Sequence, residues 1–409
     1  MQHYEITEFS GKRIVEFRKL AAVMFKSKSN GFDDEEGFLQ AVAAEDAASY
    51  DSVDRVGAFH NDRIYAGLES RGYDNVVFDG KACKMSGVGC VVSDFNSPFK
   101  GAIGEIYKKA FAIMRQNGQY ISHLYPFDET YYRTYGYEVS AMTARWKIPV
   151  EKLLILREGM VKPYDGSEKM QSDIQLVHKA FTDNHNLSIH KHRGMWKKFF
   201  DATKPFVSGI NSFVHYSPDG TPDAYMNYVV KNYEDKPSDL ETRELWYTNI
   251  RALAGMLSYF GTQRSCCDYL YITLPDHVDI TPIVNSKGGY GKRIAEKIRQ
   301  NRGMSRIVDV EKILQMANYK GEGSLCIKIY GDDYAPWNND TYTVTYGDKT
   351  TVARGGAADI EMKINSFSAA ILGRFDFENL VLFDDIKIHN QKEFGNIFYR
   401  KPMWLCEKF

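Results

Sequence analysis

Apolar residues near the N-terminus fall at helical spacing: Ile14, Phe17, Leu20, Ala21, Met24 and Phe25 mark one face. An acidic run, Asp33-Asp34-Glu35-Glu36, follows and reads as a second helix start, since carboxylates favour the positive end of a helix. The period then shortens to that of strands. Segments 55–60, 64–70, 76–78 and 83–93 read as strands, separated by the turn pairs Asn61-Asp62 and Asp79-Gly80. Ile103, Ile106, Tyr107, Ala110, Phe111 and Met114 return to helical spacing. Gly118 supplies the stop, and a strand over 120–124 runs toward Pro126.

The middle of the chain repeats this last piece. Residues 241–260 read as an amphipathic helix, with Trp246, Ile250, Leu253, Leu257 and Phe260 on one face and Gly261 at the end. A strand over 268–274 runs into Pro275. Helix, glycine, strand, leucine and proline thus occur twice, which implies duplication of one α/β unit. The remainder reads as an α+β unit: a helix over 306–318, strands over 325–330, 341–346 and 359–364, and a helix over 366–372. A boundary near 285–305 is marked by Ser286-Lys287-Gly288-Gly289 and a charged stretch after it.

With 409 residues, two or three domains of ~150 residues are expected. Lys+Arg is 52 against Asp+Glu 53, so the basic excess of a nucleic-acid binder is missing. The apolar run from Leu20 to Phe25 falls far short of the ~20 residues a bilayer helix needs. No basic region followed by an apolar stretch opens the chain, so neither a secretory leader nor a membrane partner is expected, and a cytoplasmic location is. The six cysteines include no C-x-x-C, which excludes a zinc ribbon and fits buried thiols in a reducing compartment. His190-Lys191-His192 has no acidic or cysteine partner at a telling spacing and reads as a solvated turn, so no metal is expected.

Chemistry is suggested where Cys90-Val91-Val92-Ser93 leads through a loop into Lys100-Gly101-Ala102-Ile103-Gly104. Backbone N–H groups at a helix start, uncovered by a glycine, form an anion site suited to a pyrophosphate. A mixed sheet whose fourth strand feeds such a glycine loop and helix resembles the GNAT acyltransferase superfamily. Leu124-Tyr125-Pro126-Phe127 and Tyr131-Tyr132-Arg133-Thr134-Tyr135-Gly136-Tyr137-Glu138 are similar to the L-Y-P-F…Y-x-x-x-G-Y-E signature of its Eis (enhanced intracellular survival) branch. The resemblance continues through His192-Arg193-Gly194-Met195-Trp196, Thr273-Leu274-Pro275, Met304-Ser305-Arg306-Ile307-Val308-Asp309-Val310 and the terminal Pro402-Met403-Trp404…Phe409.

That resemblance implies an α/β (α+β) fold of tandem GNAT domains followed by a sterol-carrier-protein-like domain: 1–150 catalytic, 151–295 degenerate, 296–409 sterol-carrier-like. It implies an N-acetyltransferase that moves acetyl from acetyl-CoA, a co-substrate, to a primary amine of aminoglycoside, polyamine or lysine type. Val91, Val92, Ser93, Phe99, Lys100, Gly101, Ala102, Ile103 and Gly104 would hold acetyl-CoA. Tyr132 would protonate the departing thiolate, with Tyr131 the fallback, and the terminal carboxylate of Phe409 would steer the amine. A closed homo-oligomer, a hexamer, is implied as well. The chain departs from the family's loop at Pro98, which stands where an arginine or glutamine is usual, and Lys408 puts a cation beside the terminus. The duplicate has Lys236-Pro237-Ser238-Asp239-Leu240 before its helix, with no glycine, and should not bind CoA. The alternative reading is a protein whose altered loop has cost it catalysis and which binds an apolar or lipid ligand.

Overall fold

Two tight turns shape the first sheet. Asn61 and Asp62 take left-handed conformations (φ 49° and 61°), as do Asp79 and Gly80 (φ 51° and 74°), and such pairs match the twist of antiparallel strands. The structure, a computed structural model, describes residues 4–26, 33–156, 158–205, 207, 209–234, 237–284 and 295–407. The chain begins with β1 (Glu5–Glu8), α1 (Lys12–Met24), α2 (Glu35–Ser49), β2 (Ser52–His60) and β3 (Arg63–Phe78). It continues with β4 (Lys81–Ser93), α3 (Ala102–Gln116), β5 (Gln119–Leu124), α4 (Glu129–Arg133) and β6 (Glu138–Val139). Asp34, from the acidic run, caps α2 by accepting from the Gly37 N–H, so that run does start a helix.

Next come β7 (Met142–Pro149), β8 (Met160–Pro163), α5 (Glu168–Asp183), α6 (Arg193–Ala202), β9 (Asn211–Tyr216) and β10 (Pro222–Lys231). After these lie β11 (Ser238–Tyr247), α7 (Ile250–Gly261), β12 (Cys267–Pro275) and β13 (Glu296–Asn301). The last stretch holds β14 (Met304–Ile307), α8 (Val310–Met316), β15 (Gly323–Tyr330), β16 (Thr341–Tyr346) and β17 (Thr351–Arg354). It closes with β18 (Ile360–Lys363), α9 (Ile364–Leu372), α10 (Phe377–Leu380) and β19 (Lys387–Ile388). Two units result. One holds residues up to Ala141, Arg302–Lys401 and the tail from Leu405; the other holds Met142–Asn301 and Pro402–Trp404.

In the first unit the larger sheet runs β1-β2-β3-β4-β5-β14-β6, and β4–β5 is its parallel pair. Ile106, Tyr107, Phe111 and Met114 of α3 are buried with Leu68, Val88 and Leu124, while Phe17 of α1 is buried with Phe9, Phe59 and Ile64. Both faces of the sheet are therefore covered, as a mixed sheet of this kind requires. A smaller sheet, β17-β16-β15-β18-β19, buries Leu325, Ile327, Ile329 and Tyr342, and Phe367 and Ile371 of α9 are buried too. The Ser368 hydroxyl of α9 accepts from the Ile307 N–H at 2.9 Å, tying that helix to β14.

The second unit has one sheet, β13-β7-β12-β11-β10-β9-β8, with β11–β12 parallel. From β8 to β12 its elements follow the same succession as β1 to β5. The duplication is therefore a structural one.

Three segments differ from the sequence reading. Residues 238–247 are a strand, and the second helix starts only at Ile250, because the link between them is just Thr248-Asn249 and the apolar spacing ran across it. Residues 64–70 and 76–78 belong to one strand whose register shifts between Tyr73 and Val76, where Asp74 and Asn75 face solvent. Residues 304–307, expected partly as helix, are β14, and the helix begins after Asp309, whose carboxylate accepts from the Lys312 N–H.

Candidate active site

β4 and β5 pair from Lys84↔Gln119 to Val88↔Leu124. Beyond Val88, β4 runs on beside β3, to Val92↔Gly67 and Ser93↔Ala66. Cys90 takes φ 51° where the β3–β4 register shifts, and a bulge of this kind bends a strand and sharpens its twist. Beyond Val88 no strand pairs with β4 on its β5 side among the described residues, which leaves a slot there bounded by a strand edge. Such an edge accepts an extended chain that carries amides. Val91 packs toward the α3 core and Val92 toward the α1 core, so these residues offer the slot mainly backbone.

The slot leads to the start of α3. Gly101 sits there with φ 80°, a conformation that favours glycine, and no side chain caps the helix. A Cβ built on Gly101 would meet nothing within 4 Å, so the space before the first N–H groups is open. The Gly104 N–H returns to the Gly101 carbonyl at 3.0 Å, and among the described residues no side chain accepts from the amides of Gly101, Ala102 and Ile103 at the positive end of this long helix. Ala102 and Ile103 bury their side chains and fix the helix, while Lys100 is exposed. Phe99 is buried against Tyr4, Tyr65 and His60, at ring distances of 5.0, 5.0 and 5.4 Å, so its side chain anchors the loop. Gly104 has its own constraint: a Cβ there would lie 3.1 Å from the ring of Tyr334, contributed by the loop after β15.

The tyrosines follow β5. Asp128 caps α4, accepting from the Tyr131 N–H at 3.1 Å, and Arg133 is held by both oxygens of Glu138 at 2.8 and 2.7 Å. Tyr132 is buried among the residues under α3, its hydroxyl has no hydrogen-bond partner among the described residues, and burial pushes its pKa up to about 12. Tyr131 is half-buried, and its hydroxyl accepts from Tyr135 at 3.3 Å. Gly136, with φ 83°, leaves room for Arg306; a Cβ there would come within 2.8 Å of its guanidinium. Arg306 is fully buried, pairs with Asp332 at 2.6 Å, donates to the Tyr135 carbonyl and stacks on Phe111. The Tyr137 hydroxyl pairs with Ser122 at 2.7 Å. The Y-x-x-x-G-Y-E spacing thus has a mechanical content: it hangs one short helix from β5 and β6.

The other face of the same sheet carries His123, in line with Gly87 of β4. His123 is fully buried between Ser305 (2.7 Å) and the Arg302 carbonyl (3.1 Å), and burial pushes its pKa down to about 3. It is neutral at any physiological pH. Beside it the Tyr125 hydroxyl donates to the carbonyl of Glu407. The tail therefore reaches the end of β5, where the slot opens; Lys408 and Phe409 lie outside the described residues.

In the second unit the corresponding parts are present but closed. β11 and β12 pair at Ser238↔Cys267, Leu240↔Leu270 and Glu241↔Tyr271, and their remaining residues are unpaired with each other. The start of α7, however, is plugged. The Asn249 side chain accepts from the N–H groups of Arg251 (2.9 Å) and Ala252 (3.0 Å), the amides an anion would need. An asparagine just before a helical stretch is a signal the sequence carried, obscured by the misplaced helix start. Arg306 lay in a motif the sequence offered, but its partner Asp332 was missed for another reason: a buried ion pair between distant segments leaves no local pattern.

Residues 9–140 match the family model of the acetyltransferase (GNAT) domain, residues 187–288 match a second acetyltransferase (GNAT) domain model, and residues 310–406 match the sterol carrier protein domain. The chain is a tandem GNAT acyltransferase with a sterol carrier domain. Among solved structures, this GNAT protein is similar to a conserved Enterococcus faecalis protein of unknown function, a probable N-acyltransferase, at 19% identity and a TM-score of 0.78 over 98% of both chains. It is similar to a GCN5-related N-acetyltransferase from Anabaena variabilis at 17% identity and TM-score 0.77, over 98% of this chain and 99% of that one. Eis1 from Mycobacterium abscessus gives 14% identity and TM-score 0.77, with 100% of both chains covered. These likenesses are of fold. No curated protein sequence matches the chain. Among the described residues no helix is long and apolar enough to cross a membrane.

Proposed function

We propose that the first GNAT domain transfers acetyl from acetyl-CoA to a primary amine. The observation that carries this reading is the contrast between two equivalent helix starts: α3 opens with bare amides behind Gly101, while α7 has its amides occupied by Asn249. The pantetheine arm lies along the free edge of β4 at Val91 to Ser93, and the pyrophosphate sits on the amides of Gly101, Ala102 and Ile103. Lys100 supplies the charge that Pro98 lacks. The amine nitrogen attacks the thioester carbonyl, the C–N bond forms, and the C–S bond breaks. The thiolate takes its proton from Tyr132, which regains one from water, and the ammonium proton leaves toward the tail carboxylate of Phe409. The protein works in the cytoplasm as a homo-oligomer, a hexamer by its resemblance, and light scattering that returned one chain's mass would overturn that part.

The test transplants the cap. Gly101→Asn places on α3 the residue that closes α7, and asparagine tolerates left-handed φ better than most side chains. Calorimetric titration should show acetyl-CoA affinity reduced about tenfold or more, with the melting temperature nearly unchanged. Equal affinity in variant and wild type, or no acetyl-CoA binding by wild type, would overturn the reading.

A further inference from the structure

The sterol carrier domain reaches the start of α3. Its loop between β15 and β16 carries Tyr334, and a Cβ added at Gly104 would lie 3.1 Å from the edge of that ring and 3.5 Å from its hydroxyl oxygen. Every Cα–Cβ bond of a helix tilts toward the helix N-terminus. The space bordered by Gly104 and the hydroxyl therefore lies toward the end where the amides of Gly101, Ala102 and Ile103 stand. A side chain at Gly104 would force the ring back. The start of α7 makes no such allowance: its matching residue, three places after the capping Asn249, is Ala252.

The loop that holds Tyr334 is braced from beneath. Asp332 is buried, pairs with Arg306 at 2.6 Å, and accepts from the Ala335 N–H (3.0 Å) and the Asn338 side chain (3.0 Å). Asn339 accepts from the Asp332 N–H at 2.9 Å, and the Trp337 indole donates to the Val308 carbonyl at 2.8 Å. Arg306 also donates to the Tyr135 carbonyl at 2.6 Å, and the Tyr135 ring lies 4.9 Å from that of Tyr334. One buried ion pair thus fixes Tyr334 against both α3 and the tyrosine motif.

The hydroxyl itself is unspent. It has no hydrogen-bond partner among the described residues, yet Tyr334 is only half-buried and the atom is not sealed from solvent, unlike the hydroxyl of Tyr107. Burial, with Tyr135 and Asp333 nearby, raises its pKa, so it keeps its proton and is available as a donor. The charged groups around it are Asp333, Lys108 and Glu105, and the last two pair with each other at 2.8 Å. Among the described residues this wall offers an anion a neutral donor rather than a free cation.

We infer that Tyr334 is a cofactor-binding residue supplied by the sterol carrier domain, its hydroxyl donating to the diphosphate of acetyl-CoA seated on the amides of α3. The inference rests on the acetyl-transfer reading, which puts the diphosphate there, and it makes the third domain a part of the cofactor site.

Tyr334→Phe removes the donor and keeps the ring against Gly104 and Tyr135, so its melting curve should match that of wild type. Calorimetric titration should show the affinity for acetyl-CoA lowered about tenfold or more, the scale of one hydrogen bond to a charged group. The affinity for dephospho-acetyl-CoA, which keeps the diphosphate and lacks the ribose phosphate, should fall by the same factor. In steady-state transfer the loss should appear chiefly in KM for acetyl-CoA rather than in kcat. Equal acetyl-CoA affinity in variant and wild type, or tighter binding by the variant, overturns the inference. So does a loss confined to acetyl-CoA, which would send the hydroxyl to the ribose phosphate. Wild type that binds acetyl-CoA but transfers no acetyl strikes the acetyl-transfer reading alone, and the titrations still decide for Tyr334. Wild type that binds no acetyl-CoA overturns both.

Discussion

A phenol without a hydrogen-bond partner among the described residues, pushed up to about 12 by burial, holds its proton throughout the physiological range. Tyr132 can therefore donate only to a stronger base placed against it, and a leaving thiolate in a dry slot is such a base. Tyr132→Phe should slow thiol release on the order of 100-fold while leaving acetyl-CoA affinity nearly as it was. Tyr131→Phe, which removes a hydroxyl already engaged with Tyr135, should cost far less. The reverse ranking in single-turnover rates would assign the donor to Tyr131. Arg306 calls for a different experiment. Replacing it with methionine leaves the Asp332 carboxylate buried without its cation, which should cost about 3–5 kcal/mol and shift the urea midpoint down. Arg306→Met paired with Asp332→Asn should recover part of that loss, since the uncompensated charge is then gone.

At the scale of elements, β5 and β14 share the buried His123–Ser305–Ser140 hydrogen-bond chain, and its protonation state links stability to pH. In the folded state the His123 pKa falls to about 3, against 6.5 for an ordinary histidine, because burial disfavours the charged ring. A depressed pKa means that its contribution is complete above pH 6.5 and is lost as pH falls toward 3. Urea midpoints should therefore drop between pH 7 and pH 5 by an amount that His123→Asn diminishes, even though that variant starts from a lower stability. A pH slope identical in both proteins would show that His123 does not govern it. Much of this element layer was legible in the chain. The turn pairs, α3 with its glycine start, the helix–strand repeat and the tyrosine motif all rest on spacings within a few residues, where local rules act. What was not legible depended on distance: β14 looks helical until β5 and β6 stand on either side of it, and the approach of Tyr334 to Gly104 joins the loop after β15 to α3. Tertiary pairing overrode local pattern at those places.

Across the whole molecule, the tail is the part with two addresses. Pro402–Trp404 belongs to the second unit, where the Asn186 N–H donates to the Pro402 carbonyl at 2.8 Å and the Trp404 N–H donates to the Asn186 carbonyl at 3.0 Å. From Leu405 the chain belongs to the first unit, with Glu407 held by Tyr125. If the Phe409 carboxylate serves the amine, a C-terminal tag replaces that charge with a neutral peptide bond and should slow acetyl transfer by about 100-fold, the cost of a misplaced reacting group. Melting temperature should hardly change, because the anchors at Asn186 and Tyr125 remain. Full activity of the tagged enzyme beside an untagged control would remove Phe409 from the mechanism.

The insertion of β14 between β5 and β6 has a consequence for biosynthesis. A ribosome that has released the first 141 residues has delivered every other strand of the larger sheet, yet the strand that seals it emerges only after Met142–Asn301, nearly all of the second unit. Until then β5 presents a naked edge, the kind of surface that recruits stray strands. The second unit, by contrast, is nearly contiguous and can close its sheet once β13 has emerged. Order of synthesis and order of folding are thus crossed: the domain made first finishes last. An isolated N-terminal fragment ending at β6 should accumulate as aggregates rather than as a soluble domain, and nascent chains stalled before β14 should depend on a holding chaperone in a way that chains stalled after it do not.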